Sequence, residues 1–393
     1  MNPRIQTEPP VPGRFRPRAT LAPMIRRALA PCLAALALAA CAVPPPKSMP
    51  QPSVSPTPTP EPAPAPAPHV RDISAARAEF VRSTSQRFGI PAAEIEAVLA
   101  KAQLREAIIK AMSRPAEAKP WRDYRPIFIQ PKRIDDGRAF LAANRDALQR
   151  AEDEYGVPKE IVTAILGVET SYGGNKGSYP VIDALYTLAF AYPRSGDPAK
   201  AERENKREAF FRDELAQLFA LGKEEGFDIT TLKGSYAGAM GWGQFMPSSY
   251  RDYAVDGDGD GKRGLFNDLD DVFASVANYF AKKGGWTSTA PVMTRAVRDP
   301  GAADFDHPGN SVTLDQTLAS LQAKGYRPLE LRFVSMDAGP AATLITLEGA
   351  AGPEYWIVYN NFKAITTYNI SRLYATAVYQ LSRAIAGREP EGP

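Results

Sequence analysis

The chain has 393 residues, with 47 lysines and arginines against 44 aspartates and glutamates and a formal net charge of +3. That near-neutral balance decides little by itself, and no lysine–arginine stripe interleaved with aromatics points to a nucleic-acid partner. Its two cysteines, Cys32 and Cys41, both lie near the N-terminus, which excludes a disulfide framework or thiol chemistry in everything that follows.

Arg26-Arg27 precede an almost uncharged run over residues 28–40 that ends Leu38-Ala39-Ala40-Cys41. A short basic region followed by an apolar stretch of this length reads as a secretory signal, too short to span a bilayer as a stable helix. The small residues before Cys41 resemble a bacterial lipobox, in which the cysteine is lipidated and becomes the new N-terminus. Residues 1–41 are therefore read as the signal segment, with Met24 as the alternative start and Cys41 as the lipidation site. Residues 42–70 follow as a tether. Between 44 and 68, 12 of 25 residues are proline, a composition that cannot bury a core and favours extended polyproline II.

Residues 71–393 read as one body of two or three lobes around a cleft. Apolar spacing predicts helices over 74–87 and 92–112, an extended segment near 127–130, and a long amphipathic helix over 135–155. Gly156-Val157-Pro158 stops that helix and starts the next, since proline is tolerated in a first turn. Ile161, Ile165 and Glu169 then fall at i, i+4 and i+8, which places Glu169 on the apolar stripe near the end of a helix over 158–170. Further helices are predicted over 181–192, 210–222 and 272–282, with the charged 195–208 as a surface loop or helix extension. Asp183, ahead of an apolar helix, reads as an N-cap. After Pro291, alternation predicts strands over 342–347 and 355–359, and a final helix runs over 371–386. The expected fold class is helix-dominated α+β with a small late β-sheet.

Three places carry chemistry. An apolar surround, the negative end of a helix and the lack of a local cation should all raise the pKa of Glu169. A carboxyl kept protonated near neutral pH can protonate a leaving oxygen, the step that glycosidic cleavage requires. The alternative is a helix-end glutamate in solvent. Residues 233–250, K-G-S-Y-A-G-A-M-G-W-G-Q-F-M-P-S-S-Y, form a loop in which Gly238, Gly241 and Gly243 let backbone approach a flat sugar face while Ser235 and Gln244 offer hydrogen bonds. Asp256, Asp258 and Asp260 with Gly261 have the start of EF-hand spacing, although Asn267 stands where a closing glutamate is expected. Clustered carboxylates repel one another without a cation, and the bland reading is a solvated acidic turn.

The segments I-L-G-V-E-T-S-Y-G-G (165–174), D-A-L-Y-T-L-A-F-A-Y-P-R (183–194) and G-S-Y-A-G-A-M-G-W-G-Q-F-M-P-S-S-Y (234–250) closely resemble the lytic murein transglycosylase B family, from about residue 75 to the last helix. The resemblance implies a lysozyme-like catalytic core with an additional helical lobe, filling residues 71–393. It implies cleavage of the MurNAc–GlcNAc β-1,4 bond of peptidoglycan without water, leaving a 1,6-anhydro-MurNAc end, with Glu169 as the sole acid/base. One carboxylate then suffices, because the substrate's own C6 hydroxyl replaces the nucleophile or water that a second carboxylate would serve. Tyr124, Arg194, Ser235, Gln244, Tyr279, Tyr368, Asn369 and Tyr374 match positions that line the family's cleft. Where the family's Y-P-R motif continues with a second arginine, Ser195 stands here.

The family closes its calcium loop later than an EF-hand, so Asp270 joins Asp256, Asp258, Asp260 and the Lys262 carbonyl around a structural Ca²⁺ in loop 256–270. No organic cofactor is implied. The expected partners are peptidoglycan glycan strands and the membrane through the lipid anchor, with cell-wall synthesis enzymes as neighbours by class. Ala42, in place of the aspartate of inner-membrane retention, favours a periplasmic site on the outer membrane. The rival readings are a hydrolytic lysozyme on the same scaffold and a non-enzymatic peptidoglycan-binding lipoprotein.

Overall fold

The computed structural model describes residues 72–113, 119–305, 309–310, 312–329 and 340–390. These fall in one unit, residues 68–393, and the signal, lipobox and tether expectations lie outside the described residues. In chain order the elements are α1 (Ser74–Phe88), α2 (Ala92–Leu99), α3 (Glu106–Met112), α4 (Trp121–Phe128), α5 (Pro131–Ala143), α6 (Arg145–Tyr155), α7 (Lys159–Thr170), β1 (Tyr179–Pro180), α8 (Val181–Phe190), α9 (Ala201–Glu225), β2 (Lys233–Gly234), α10 (Pro247–Tyr253), α11 (Leu269–Tyr279), β3 (Met293–Arg298), α12 (Leu318–Ala323), β4 (Tyr326–Pro328), β5 (Thr343–Gly349), β6 (Gly352–Val358), α13 (Asn360–Tyr368) and α14 (Arg372–Ile385). Helices dominate, as the sequence patterning leads one to expect.

Several expectations are corrected. The helix expected over 92–112 divides into α2 and α3 because its linking backbone donors are used elsewhere. The Gln103 N–H donates to Asp183 Oδ1 at 2.9 Å and the Arg105 N–H donates to Thr187 Oγ1 at 3.0 Å. The same bonds overturn the N-cap reading of Asp183. Pro180 holds the N-cap of α8, and Asp183 is buried in the first turn, where it pairs with Arg105 at 2.6 Å. The extended segment expected near 127–130 is half overturned, since α4 runs on through Ile127 and Phe128 with Pro126 inside the helix. Burial of Trp121 and Tyr124 on one face outweighs the extended preference of that stretch. The long helix over 135–155 breaks at Asn144 (φ −117, ψ 23) into α5 and α6. The charged run 195–208 keeps to its helix-extension alternative from Ala201 onward, where it forms the first turns of α9.

Along α7, every residue from Ile161 to Gly167 is buried. Helix α14 packs along it, with α5 and α6 at its sides. The main core therefore surrounds the helix that ends in Glu169. Strands β1 and β2 pair antiparallel, Tyr179 opposite Gly234, and pin the glycine-rich loop to the segment that follows α7.

The late sheet has the antiparallel order β4-β3-β6-β5. Its side chains alternate between two cores, as a pleated strand requires. Ile345, Leu347, Trp356 and Val358 join the main core, whereas Leu344 and Ile357 join a small second core with Leu318, Leu321 and Tyr326. Strands β5 and β6 match the predicted pair; β3, β4, α12 and α13 lie outside the sequence expectations.

Candidate active site

Glu169 is the penultimate residue of α7 and is half-buried. The Tyr374 hydroxyl, from the first turn of α14, donates a 2.5 Å hydrogen bond to its Oε1. Burial pushes the carboxyl up to about 7, and the Tyr374 hydrogen bond pulls the other way by favouring the anion. No cation pairs with Glu169 among the described residues. Burial also holds the Tyr374 and Tyr368 hydroxyls well above the ordinary tyrosine value, reinforced by the nearby Glu169 charge, so both stay neutral donors.

The chain leaves α7 through a sharp reversal. Ser171 and Tyr172 adopt left-handed backbone (φ 50 and 57), a conformation that non-glycine residues hold only when packing over-determines it. Gly173 follows at φ 83, and a Cβ there would stand 2.2 Å from the Trp242 ring. Glycine is required on both counts.

The other tyrosines expected at the cleft gather behind Tyr374. Tyr368, at the end of α13, donates to the Gly243 carbonyl at 2.5 Å, and Tyr279, at the end of α11, donates to the Thr367 carbonyl at 2.6 Å. Their rings meet edge-on at 4.9 Å, and Phe245 of the glycine loop packs on both. Tyr124 is buried on α4 against Trp121 and Phe128. Asn369 is half-buried and ends α13. Arg194 stands apart from this group. It pairs with Glu208 of α9 at 2.5 Å and donates to Asn205 at 2.9 Å, while the neighbouring Ser195 N–H donates to Glu204.

In the glycine loop, Ser235 Oγ accepts the backbone N–H groups of Ala237 (3.3 Å) and Ala239 (3.1 Å), so it builds the turn that carries it. Gln244 is held in left-handed backbone (φ 53), with its Nε2 donating to the carbonyls of Lys176 (3.2 Å) and Gly241 (3.0 Å). Its amide oxygen remains as an acceptor.

Trp242 and Thr170 join these pieces, and sequence reasoning assigned no role to either. Thr170 Oγ1 donates to the Trp242 carbonyl at 3.1 Å. The Trp242 N–H and Nε1–H donate to Leu265 and Phe266, each at 3.1 Å, and Lys176 Nζ lies 5.0 Å from its ring centroid. One indole thus links the end of α7, the glycine loop and the chain beyond the acidic turn. The glycines around Trp242 were the only local signal, because its partners are distant in sequence.

In the acidic turn, one carboxylate oxygen from each of Asp256, Asp258 and Asp260 falls within 4.8 Å of the others, and all three residues are exposed. Asp256 is held below the usual carboxylate range, chiefly by the Gly261 N–H, with the Gly259 and Asp260 N–H groups adding to it. Three hard oxygen donors so arranged fit a calcium-sized cation. The Asp270 carboxylate points elsewhere and pairs with Arg150. Asp271 instead ties the turn to α11, accepting the N–H groups of Gly257 (2.6 Å) and Gly264 (2.5 Å).

The family model described as "Transglycosylase SLT domain" matches residues 72–383. The chain is 37% identical over 320 residues to membrane-bound lytic murein transglycosylase B of Escherichia coli (strain K12), covering 78% of this chain and 82% of that protein. Among solved structures it is similar to catenated lytic transglycosylase SltB1 from Pseudomonas aeruginosa, with 42% identity, 80% of this chain and 98% of that chain covered, and a TM-score of 0.71. The Escherichia coli lytic transglycosylase Slt35 in complex with calcium gives 34%, 79% and 92%, and 0.67. Pseudomonas aeruginosa SltB3 in complex with NAG-anhNAM-pentapeptide gives 30%, 81% and 80%, and 0.67.

Proposed function

We propose, from the premise that the chain belongs to the transglycosylase SLT domain family, that Glu169 is the single acid/base of its reaction. The enzyme is a peptidoglycan lytic transglycosylase with a lysozyme-like fold, cleaving MurNAc-β-1,4-GlcNAc bonds to 1,6-anhydro-MurNAc ends. The observation that carries the assignment is a half-buried, cation-free carboxyl at about 7, fixed by one tyrosine at the end of a buried helix. Near neutral pH both of its protonation states are populated, which suits a group that must first give a proton and then take one.

The protonated Glu169 gives its proton to the glycosidic oxygen as the C1–O bond breaks and GlcNAc leaves as an alcohol. The resulting carboxylate accepts the C6 hydroxyl proton while C6–O attacks C1, closing the anhydro ring and returning Glu169 to its acid form. No water is consumed and no second carboxylate is needed. Tyr374 occupies Oε1, which leaves Oε2 to face the sugar. Ser235, Gln244, Tyr124, Tyr279, Tyr368 and Asn369 shape the surrounding cleft, and Arg194 braces one end of it through α9. Replacing Glu169 by Gln should lower release of anhydro-muropeptides by at least ~10³-fold with sacculus binding retained. Turnover within tenfold of wild type would remove Glu169 from the role.

The three acidic side chains 256, 258 and 260 and the Lys262 carbonyl would hold a Ca²⁺, with Asp270 joining only after leaving Arg150. The ion would screen the mutual repulsion of these carboxylates and stiffen the turn that adjoins Trp242. Residues 1–41 and 42–70 are the signal and tether of a protein lipidated at Cys41 and held at the periplasmic face of the outer membrane. The membrane-bound relative supports a placement at the cell envelope. Glycan strands are its substrate, and wall-synthesis enzymes are its neighbours by class.

A further inference from the structure

Helices leave their last four carbonyls without intrahelical donors, and an acid at such an end is only as fixed as that end. In α7 the Thr170 carbonyl accepts the Asn175 N–H at 2.8 Å. The Gly167 carbonyl receives a charged donor from a different helix, Arg133 Nη1 of α5, at 2.6 Å. Arg133 is held in turn by the chain that leaves α7. The Tyr172 hydroxyl donates to the Arg133 carbonyl at 2.8 Å. Two bonds in opposite directions thus join one residue of α5 to both sides of Glu169.

The tyrosine reaches that carbonyl through a gap only glycines leave open. A Cβ on Gly137 of α5 would stand 2.4 Å from the Tyr172 hydroxyl oxygen, and one on Gly167 of α7 would stand 2.6 Å from it. The Tyr172 ring lies on Phe140 at 5.5 Å, and the Arg133 guanidinium lies 5.3 Å from the Phe128 ring centroid. Helix α5 also bears on the helix that carries Tyr374. Arg138 donates to the Ala384 carbonyl at 2.8 Å, and a Cβ on Gly137 would stand 2.8 Å from Ile385. One helix therefore spaces both elements that meet in the Glu169–Tyr374 hydrogen bond.

We propose that Arg133 and Tyr172 are positioning residues for catalysis, a clamp through α5 that sets where the Glu169 carboxyl stands relative to Tyr374 and the sugar. Neither is bonded to Glu169, and neither is among the cleft residues expected from sequence. Core packing alone would make them matter for folding and nothing else. A clamp makes them matter for the chemical step, because a displacement of the acid by about 1 Å costs on the order of 10²-fold in rate while leaving the distant sugar contacts in place.

The inference rests on Glu169 as the acid. Its test uses the full chain and the variants Tyr172→Phe, Arg133→Met and Arg133→Lys, with thermal unfolding and steady-state release of anhydro products from soluble, uncrosslinked glycan strands. Tyr172→Phe and Arg133→Met should lower kcat by about tenfold or more with KM within about twofold, and Arg133→Lys, which keeps a charged donor, should recover most of the loss. Folded variants whose kcat stays within twofold of wild type, or whose kcat and KM deteriorate together, would overturn the clamp. If Arg133→Met does not fold, Tyr172→Phe decides alone, since it keeps the packed ring and removes only the hydroxyl. Wild type that releases no anhydro products would sink the reading beneath it instead.

Discussion

At the scale of single residues, the behaviour of Glu169 follows from burial. Its carboxyl binds protons up to about 7 in the folded chain against an ordinary 4.5. The native state therefore binds more protons than the unfolded state between those values, and stability falls as pH rises through that window. The cost is complete above pH 7 and, with partial exposure discounted, is about 1–3 kcal/mol. Glu169→Gln should thus melt higher than wild type at pH 8, with the difference vanishing below about pH 4.5; calorimetry across that range checks it, and an equal or lower melting point at pH 8 contradicts it. Tyr374→Phe removes the hydrogen bond that favours the anion. The alkaline limb of its kcat/KM profile should move to higher pH while kcat drops, and a limb that moves to lower pH would contradict the bonding described.

The place of Glu169 near the end of a buried helix was legible, because an i, i+4, i+8 stripe needs no partner to be read. Its hydrogen bond to Tyr374 was not, since the two residues are separated by 205 positions. Asp183 fails for the same reason in reverse: the local pattern suggested a cap, while the donors that claim its carboxylate come from about eighty residues upstream.

At the scale of elements, the reversal after α7 and the loop around Trp242 form one packed joint. Gly173→Ala must place a methyl group on the indole from left-handed backbone, so a loss of about 1–3 kcal/mol is expected in denaturant melts. A change below about 0.5 kcal/mol would show that the ring moves aside freely. The acidic turn should raise the melting temperature when Ca²⁺ is added, and Asp258→Asn should abolish most of that increase without removing glycan cleavage. A melting curve indifferent to both calcium and chelator would leave the turn a solvated one.

Elements with strong periodicity, such as α1, α7, α14 and the β5–β6 pair, were readable from apolar spacing. Errors fell where long-range bonds interrupt a helix, as between α2 and α3, or where burial of Trp121 and Tyr124 recruits a proline-containing segment into α4. Strand β4 has only 3 residues, too few for alternation to announce it, and β3 buries Met293 and Ala296, three apart, so its pattern does not alternate.

At the scale of the whole molecule, a lipid-anchored reading makes a cellular prediction. Cys41→Ser should move the enzyme from the membrane fraction to the soluble fraction without altering its activity on purified strands, and an unchanged membrane fraction would count against lipidation. The architecture places one carboxyl at the end of a buried helix among neutral tyrosines, and the reaction follows if the substrate supplies its own nucleophile. The most direct test is to digest purified sacculi in H₂¹⁸O and weigh the released muropeptides by mass spectrometry. Anhydro-MurNAc ends without ¹⁸O, absent with Glu169→Gln, are the expected result. Reducing ends that carry ¹⁸O would mean that water, not the C6 hydroxyl, is the nucleophile.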